Sequence, residues 1–130
     1  MTAPDDIRLS SLLQVSMRVQ DIDRAVAFYR DVLGARFLFQ AGQLAFFDLD
    51  GVRLMLDVPE TPEFDHPGSV LYFRVPSVPA AYETLRARGV EFRDEPHLVH
   101  RDDRHELWMA FFNDTEGNML AIAEERMVGG

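Results

Sequence analysis

Cysteine is absent from the 130 residues, which excludes disulfides, thiolate metal sites and cysteine nucleophiles. No apolar stretch approaches the roughly 18 residues that a membrane helix needs. The opening "MTAPDDIRLSS" is acidic where a secretory signal is basic and then apolar, so the expected location is cytoplasmic. Basic side chains number 13 against 22 acidic ones, giving a net charge of −9 and a pI near 4.7. A phosphate backbone is bound by clustered Lys and Arg, and no basic stripe occurs, so neither nucleic acid nor a membrane is expected as a partner. The acidic balance could steer a cationic ligand, and it equally describes a well-solvated surface. A P-loop, a dinucleotide glycine fingerprint and a Ser–His nucleophile arrangement are all missing. What remains is ordinary globular composition, 47% apolar and 27% charged. The length suits one domain, or two small halves sharing a core.

The alternation in "LLQVSMRV" (12–19) predicts a strand with Leu13, Val15, Met17 and Val19 on one face and Gln14, Ser16 and Arg18 on the other. Asp21 is placed to cap a helix carrying Ile22, Ala25, Val26, Tyr29 and Leu33 at helical spacing, and Gly34 ends it. Strands follow at 36–40, 43–49 and 52–58, the last two joined by Asp50-Gly51, a strong hairpin signal. "PETPEFDHPG" (59–68), rich in proline, reads as a connector. The order then starts again. "SVLYFRV" (69–75) is a strand, Ser77 caps a helix with Pro79 in its first turn, Gly89 ends it, and strands fit 91–99, 106–113 and 118–124.

The halves overlay residue on residue: Val19 on Val75, Gly34 on Gly89, Phe37 on Phe92 and, at a longer offset, Gly51 on Gly117. The second half therefore has a longer hairpin, with "HLVHRDDRH" near its tip. A unit of roughly 55 residues buries little core alone, so two are expected to pair. The fold class is α+β: two βαβββ modules forming an open, curved mixed sheet, with helices outside. Module one spans about 10–58, the linker 59–68 and module two about 69–125, within a single domain over 1–130.

"VQDIDRAVAFYRDVLGARF" followed by "FNDTEGNMLAI" resembles the vicinal oxygen chelate superfamily, which includes glyoxalases, extradiol dioxygenases, fosfomycin-resistance enzymes and bleomycin-binding proteins. "FYRDVLG" is the most recognisable mark, and "NDTEGN" is similar to the family's Asp-Pro-Asp-Gly-Asn turn with Thr115 for proline. The resemblance implies paired modules in an open barrel, often completed as a homodimer. It also implies four metal ligands, usually His and Glu, on the concave face. Carried over by position, these fall on Gln14, Met55, Val70 and Ala121.

A divalent ion takes imidazole nitrogen, carboxylate oxygen or water. Gln14 offers a neutral oxygen and Met55 a soft thioether, while Val70 and Ala121 offer no side-chain donor. No metal and no cofactor are therefore expected. A substitute cluster of His97, His100, His105 and Asp57 is conceivable, with His66 also in a loop, although loop histidines are commonly solvated.

By alternation the concave face receives Gln14, Ser16, Arg18, Arg53, Met55, Asp57, Val70, Tyr72, Arg74, Met119 and Ala121. Trp108, Ala110 and Phe112 are expected to join them, with Phe46 a further candidate. Aromatics and methionines with a few polar groups suit a small organic ligand. The leading expectation is a metal-free binder in a homodimer, comparable to bleomycin-resistance-type proteins. The alternatives are a glyoxalase- or dioxygenase-like enzyme with an atypical metal site, a metal-free lyase or isomerase, and a module whose hollow is filled. Catalytic residues stay unassigned; Asp57 and Tyr72 are the nearest bases, with Arg53 or Arg74 to stabilise an anion.

Overall fold

Asp21 begins the first helix as the spacing predicts: its backbone is extended and its carboxylate accepts the Arg24 amide at 3.1 Å. The computed structural model describes residues 7–60 and 68–127; most of the linker, with His66, lies outside them. Before Asp21 runs β1 (Gln14–Arg18), and after it α1 (Ile22–Ala27). The helix does not stay α-helical to its glycine. Phe28–Val32 is a π-helical turn, with the Leu33 amide donating to the Phe28 carbonyl at 3.0 Å, and Phe28 and Tyr29 are buried. Gly34, at φ 75°, then ends it.

Strands β2 (Arg36–Ala41), β3 (Leu44–Leu49) and β4 (Val52–Asp57) complete the first module. Asp50 and Gly51 both have positive φ, 55° and 96°, which suits the two-residue hairpin between β3 and β4. The sheet order is β1-β4-β3-β2, with β1 parallel to β4 and the other pairs antiparallel.

The second module repeats this with β5 (Leu71–Arg74), α2 (Val78–Ala87), β6 (His97–Arg101), β7 (His105–Asn113) and β8 (Met119–Met127) in the order β5-β8-β7-β6. Ser77 caps α2 by accepting the Ala80 amide, with proline in the first turn. The strand expected at 91–99 is shorter and later. A single bridge, Phe92 to Phe112, precedes β6. Between them Asp94 accepts the Phe111 amide through its side chain, and Pro96 has no N–H to offer a ladder.

One face of each sheet carries a helix, and these covered faces share a core. Met17, Phe47, Leu54 and Leu56 of the first module join Leu85, Phe112, Leu120 and Ile122 of the second, with Tyr29 among them. The modules are tied at one end by the turn between β7 and β8. There Tyr29 donates its hydroxyl to Asp114 at 2.7 Å and Asn118 donates to the Arg18 carbonyl at 2.8 Å. Burial, then the Asp114 carboxylate, pushes the Tyr29 hydroxyl well above its ordinary pKa. Toward the other end a cleft of about 650 Å³ separates them, with Leu33, Leu49, Phe73 and Leu85 among its walls. The two sheets stay open and are not closed into a barrel. Among the described residues no helix is long and apolar enough to cross a membrane.

Candidate functional site

The face of each sheet that bears no helix follows from register. In the first module Gln14 pairs with Arg53, and Arg53 with Asp48, which lies opposite Arg36. Directly paired residues share a face, so one polar row crosses all four strands. Two residues along, Ser16, Met55, Phe46 and Phe39 form the next row. After it come Arg18, Asp57 and Leu44.

The polar row is tied together. Arg53 donates Nε–H to Gln14 Oε1 at 2.7 Å, and its guanidinium carbon lies 5.5 Å from the centre of the Phe46 ring. Gln14 turns its amide N–H₂ toward Met55 Sδ at 3.8 Å. Phe39, 49% exposed, stacks on Phe46 with ring centres 4.6 Å apart. Asp48 accepts the Gly51 amide at 3.0 Å and stands 3.8 Å from an Arg36 amino group.

In the second module Tyr72 pairs with Ala121, and Ala121 with Phe111. Tyr72 meets Phe111 edge-on at 5.9 Å, and the His97 ring lies parallel to Phe111 at 6.3 Å. The next row is Arg74, Ala123, Met109 and His97. Tyr72, Arg74, Leu107, Met109, Ala123 and Glu125 line a shallow hollow of about 290 Å³, and Arg74 reaches Glu125 at 3.4 Å. Met119 opposes Asn113 at the start of β8, and Val70 stands just before β5.

Most of the sequence-derived residues thus share uncovered faces, in two groups. Gln14, Ser16, Arg53, Met55 and Asp57 lie on the first sheet, and Tyr72, Arg74, Met119 and Ala121 on the second. Trp108, Ala110 and Phe112 do not join them. They pair with Glu124, Ile122 and Leu120 and so occupy the helix-covered side. Phe112 is 1% exposed, against Phe92 in the core and at the wall of the cleft between modules. Trp108 donates to Glu106 at 3.1 Å beneath the Arg126 guanidinium, 4.6 Å from its ring centre. Hydrogen bonds from Trp108 and Arg101 hold the Glu106 carboxyl below the usual carboxylate range. The cause of the reversal is "LWMAFF", apolar on both faces, where alternation gives no direction. Phe111, Met109, His97 and Phe39 take the vacated roles; counting across the turn from Ala121 to its partner would have found Phe111.

The four positions that the family pattern assigns to metal ligands do not make a donor set. The Gln14 oxygen is taken by Arg53, Met55 is a thioether, and Val70 and Ala121 have only carbon. A guanidinium beside that oxygen would also repel an incoming cation. The substitute cluster does not assemble. His100 and His105 each stand 3.5 Å from Asp102, His97 stands 3.5 Å from Asp94, and Asp57 is on the other sheet. Among the described residues no group of three or more His, Cys, Asp or Glu is placed to hold a metal ion.

Comparison with known proteins gives a consistent picture. The sequence model of the Glyoxalase/Bleomycin resistance protein/Dioxygenase superfamily matches residues 11–122. The uncharacterized protein YurT of Bacillus subtilis is 28% identical, the match covering 88% of this chain and 98% of that one. The metallothiol transferase FosB of Lysinibacillus sphaericus is 34% identical over 50 residues, or 38% of this chain and 36% of that one. Among solved structures, lactoylglutathione lyase from Agrobacterium tumefaciens superposes with a TM-score of 0.72 at 23% identity, covering 90% of this chain and 95% of that one. A superfamily member from Sphaerobacter thermophilus gives 0.75 at 21% identity, with 89% and 98% covered. At these identities the structural likeness concerns the fold.

Proposed function

We propose that this chain, which belongs to the Glyoxalase/Bleomycin resistance protein/Dioxygenase superfamily, binds a small organic molecule without a metal, in a hollow shared by two copies. The observation that carries the reading is the chemistry of the two uncovered faces. One presents Phe39, Phe46 and Met55 around Arg53; the other presents Tyr72, Phe111 and Met109 around Ala121. Aromatic and thioether walls with few polar groups are the lining of a ligand pocket. The positions where metal-dependent relatives need donors hold an occupied amide, a thioether and two hydrocarbon side chains.

The second copy enters for a geometric reason. The helix-covered faces of the two modules are already spent on a common core, so the uncovered faces of one chain are left without each other. Half-exposed Phe39 and Tyr72 are apolar surface that a partner module would remove from water. The first module of one copy facing the second module of its partner gives two equivalent hollows per dimer.

Sedimentation velocity combined with elemental analysis of untagged protein tests both statements. The expected result is a dimer near twice 14.9 kDa with far less than one transition-metal ion per chain, and Tyr72→Asp shifting it toward monomer. A stoichiometric divalent ion that resists dialysis, or a monomer at micromolar concentration, would remove the reading. Ligand binding in the hollow is followed by calorimetry, because the Trp108 ring lies on the other side of the sheet.

A further inference from the structure

We infer that the guanidinium of Arg53 takes the place of the metal in this hollow, and that the ligand it selects is an aromatic or otherwise planar anion. The inference rests on the binding reading above and adds the charge class of the ligand. Three observations carry it.

The first is position. Arg53 Nε bonds the Oε1 atom of Gln14, the one oxygen in the family's ligand positions that could have faced a cation. A fixed positive charge therefore stands next to where an ion would have been.

The second is that the guanidinium is held and still has an edge to offer. Its Nε is spent on Gln14 and one face lies against Phe46. No hydrogen bond among the described residues uses its two terminal amino groups. A guanidinium whose rotation is already restrained loses little further freedom when those N–H groups grip a carboxylate or sulfonate.

The third is the local balance of charge. The chain is strongly acidic, at −9, yet in the row that crosses this face Arg53 and Arg36 flank one aspartate, Asp48. That carboxylate already has the Gly51 amide and Arg36 beside it. Asp57 lies two rows away, opposite Arg18. The row that holds Arg53 thus carries one more positive than negative charge within an acidic molecule, which favours an anion on this face. Phe46 and the stacked Phe39 provide a flat wall beside it, which selects a planar body behind the charged group.

Calorimetric titration of the full chain with three ligands that share one naphthalene ring separates the terms: planar 2-naphthoate, its neutral planar isostere 2-naphthamide, and the bulkier cation 2-naphthyltrimethylammonium. The expected order is naphthoate tightest and the cation weakest. Arg53→Met should weaken naphthoate by about tenfold or more, the loss of one charge-assisted contact, and leave naphthamide within about twofold. Arg53→Lys, which keeps the charge without the fork, should fall between. Should Arg53→Met not fold, the lysine variant and a decline of naphthoate affinity with added salt carry the same test. Two results overturn the inference and tell it apart from the reading beneath it. If all three ligands bind in a way that Phe46→Ala weakens, but naphthoate has no advantage and Arg53→Met changes nothing, the hollow stands and its charge class is wrong. If none of the three binds, both fall.

Discussion

The two modules are built alike strand for strand, yet they anchor their helices differently. At the start of α2, Glu124 of β8 accepts the Val78 amide at 2.7 Å, so the helix is held by a strand of its own module. At the start of α1 the corresponding acid comes from the other half of the chain. Glu116, in the turn between β7 and β8, accepts the Gln20 and Asp21 amides at 2.8 Å each and two N–H groups of Arg24 at 2.7 and 3.1 Å. Its side chain is fully buried. The first module is thus completed by the second. A carboxylate at a helix N-terminus is favoured by the orphan amides and the helix dipole; here the same device also fastens two halves.

Removing that fastening should have the largest effect. Glu116→Ala takes the acceptor from five donors, the Gln20 and Asp21 amides, two Arg24 N–H groups and the Thr115 hydroxyl. With Arg24 itself half exposed, the expected cost is about 3 kcal/mol, a fall in Tm of about 12 °C for a chain of this size. Thermal unfolding followed by circular dichroism measures it. Glu124→Ala takes the acceptor from the buried Val78 amide and from Arg126, a neighbour on the same strand, and should cost about 2 kcal/mol. Equal losses from the two variants would break the contrast between a bond within a module and one across modules.

Acid sharpens the same contrast. Burial alone would raise the Glu116 pKa, but hydrogen bonds from Arg24, Thr115 and the Asp21 and Gln20 amides hold it at about 2, against 4.5 ordinarily. A depressed carboxylate contributes its stability above the unfolded-state pKa and loses it as pH falls toward the folded one. About 3 kcal/mol should therefore be present above pH 4.5 and disappear between there and pH 2. Urea unfolding at pH 5, 4 and 3 should show this slope in the native chain and a flatter one in Glu116→Gln. An unchanged slope would mean that other groups govern the acid limb.

Next in size is Tyr29→Phe. The hydroxyl bonds Asp114 in the core, but Asp114 also accepts the Glu116 and Asn118 amides and the Asn118 side chain. With those partners kept, the expected loss is about 1 kcal/mol. A loss as large as that of Glu116→Ala would place the tie between modules at the tyrosine instead.

How much of this was legible in the residues depended on whether the signal was local. Asp21, Ser77 and the turn pair Asp50-Gly51 act on neighbours within a few positions, and each does in the structure what its type suggests. The repeat was legible because both modules keep glycines at corresponding turns. The π-helical turn at Phe28–Val32 was not, since an extra residue in the helix leaves no mark in apolar spacing. The uncovered face of the first sheet was readable because Gln14, Ser16, Arg53 and Asp57 alternate with apolar neighbours. That of β7 was not, because Trp108, Met109, Phe111 and Phe112 give both faces the same character. Glu116 looked like a turn residue. Its partners at the start of α1 lie more than 90 residues away, and no local pattern encodes such a distance.

The smallest expected effect concerns the two helix caps themselves. Ser77 accepts the Ala80 amide at 3.2 Å and Asp21 accepts the Arg24 amide at 3.1 Å, so the two caps are geometrically alike. On capping alone each change to alanine would cost about 1 kcal/mol, with the charged cap losing more through the helix dipole. The surroundings reverse that order. The Asp21 carboxylate lies at the helix start where the Glu116 carboxylate already accepts the Asp21 amide, and two like charges at one helix end repel. Asp21→Ala removes the repulsion together with the hydrogen bond and should cost only about 0.5 kcal/mol, while Ser77→Ala costs the full 1 kcal/mol or so. In a Glu116→Gln background the repulsion is gone, so Asp21→Ala should there become as costly as Ser77→Ala. Denaturant midpoints of the four single and double variants measure this coupling; if Asp21→Ala costs the same with and without the Glu116 charge, the two acids act independently and α1 is capped just as α2 is.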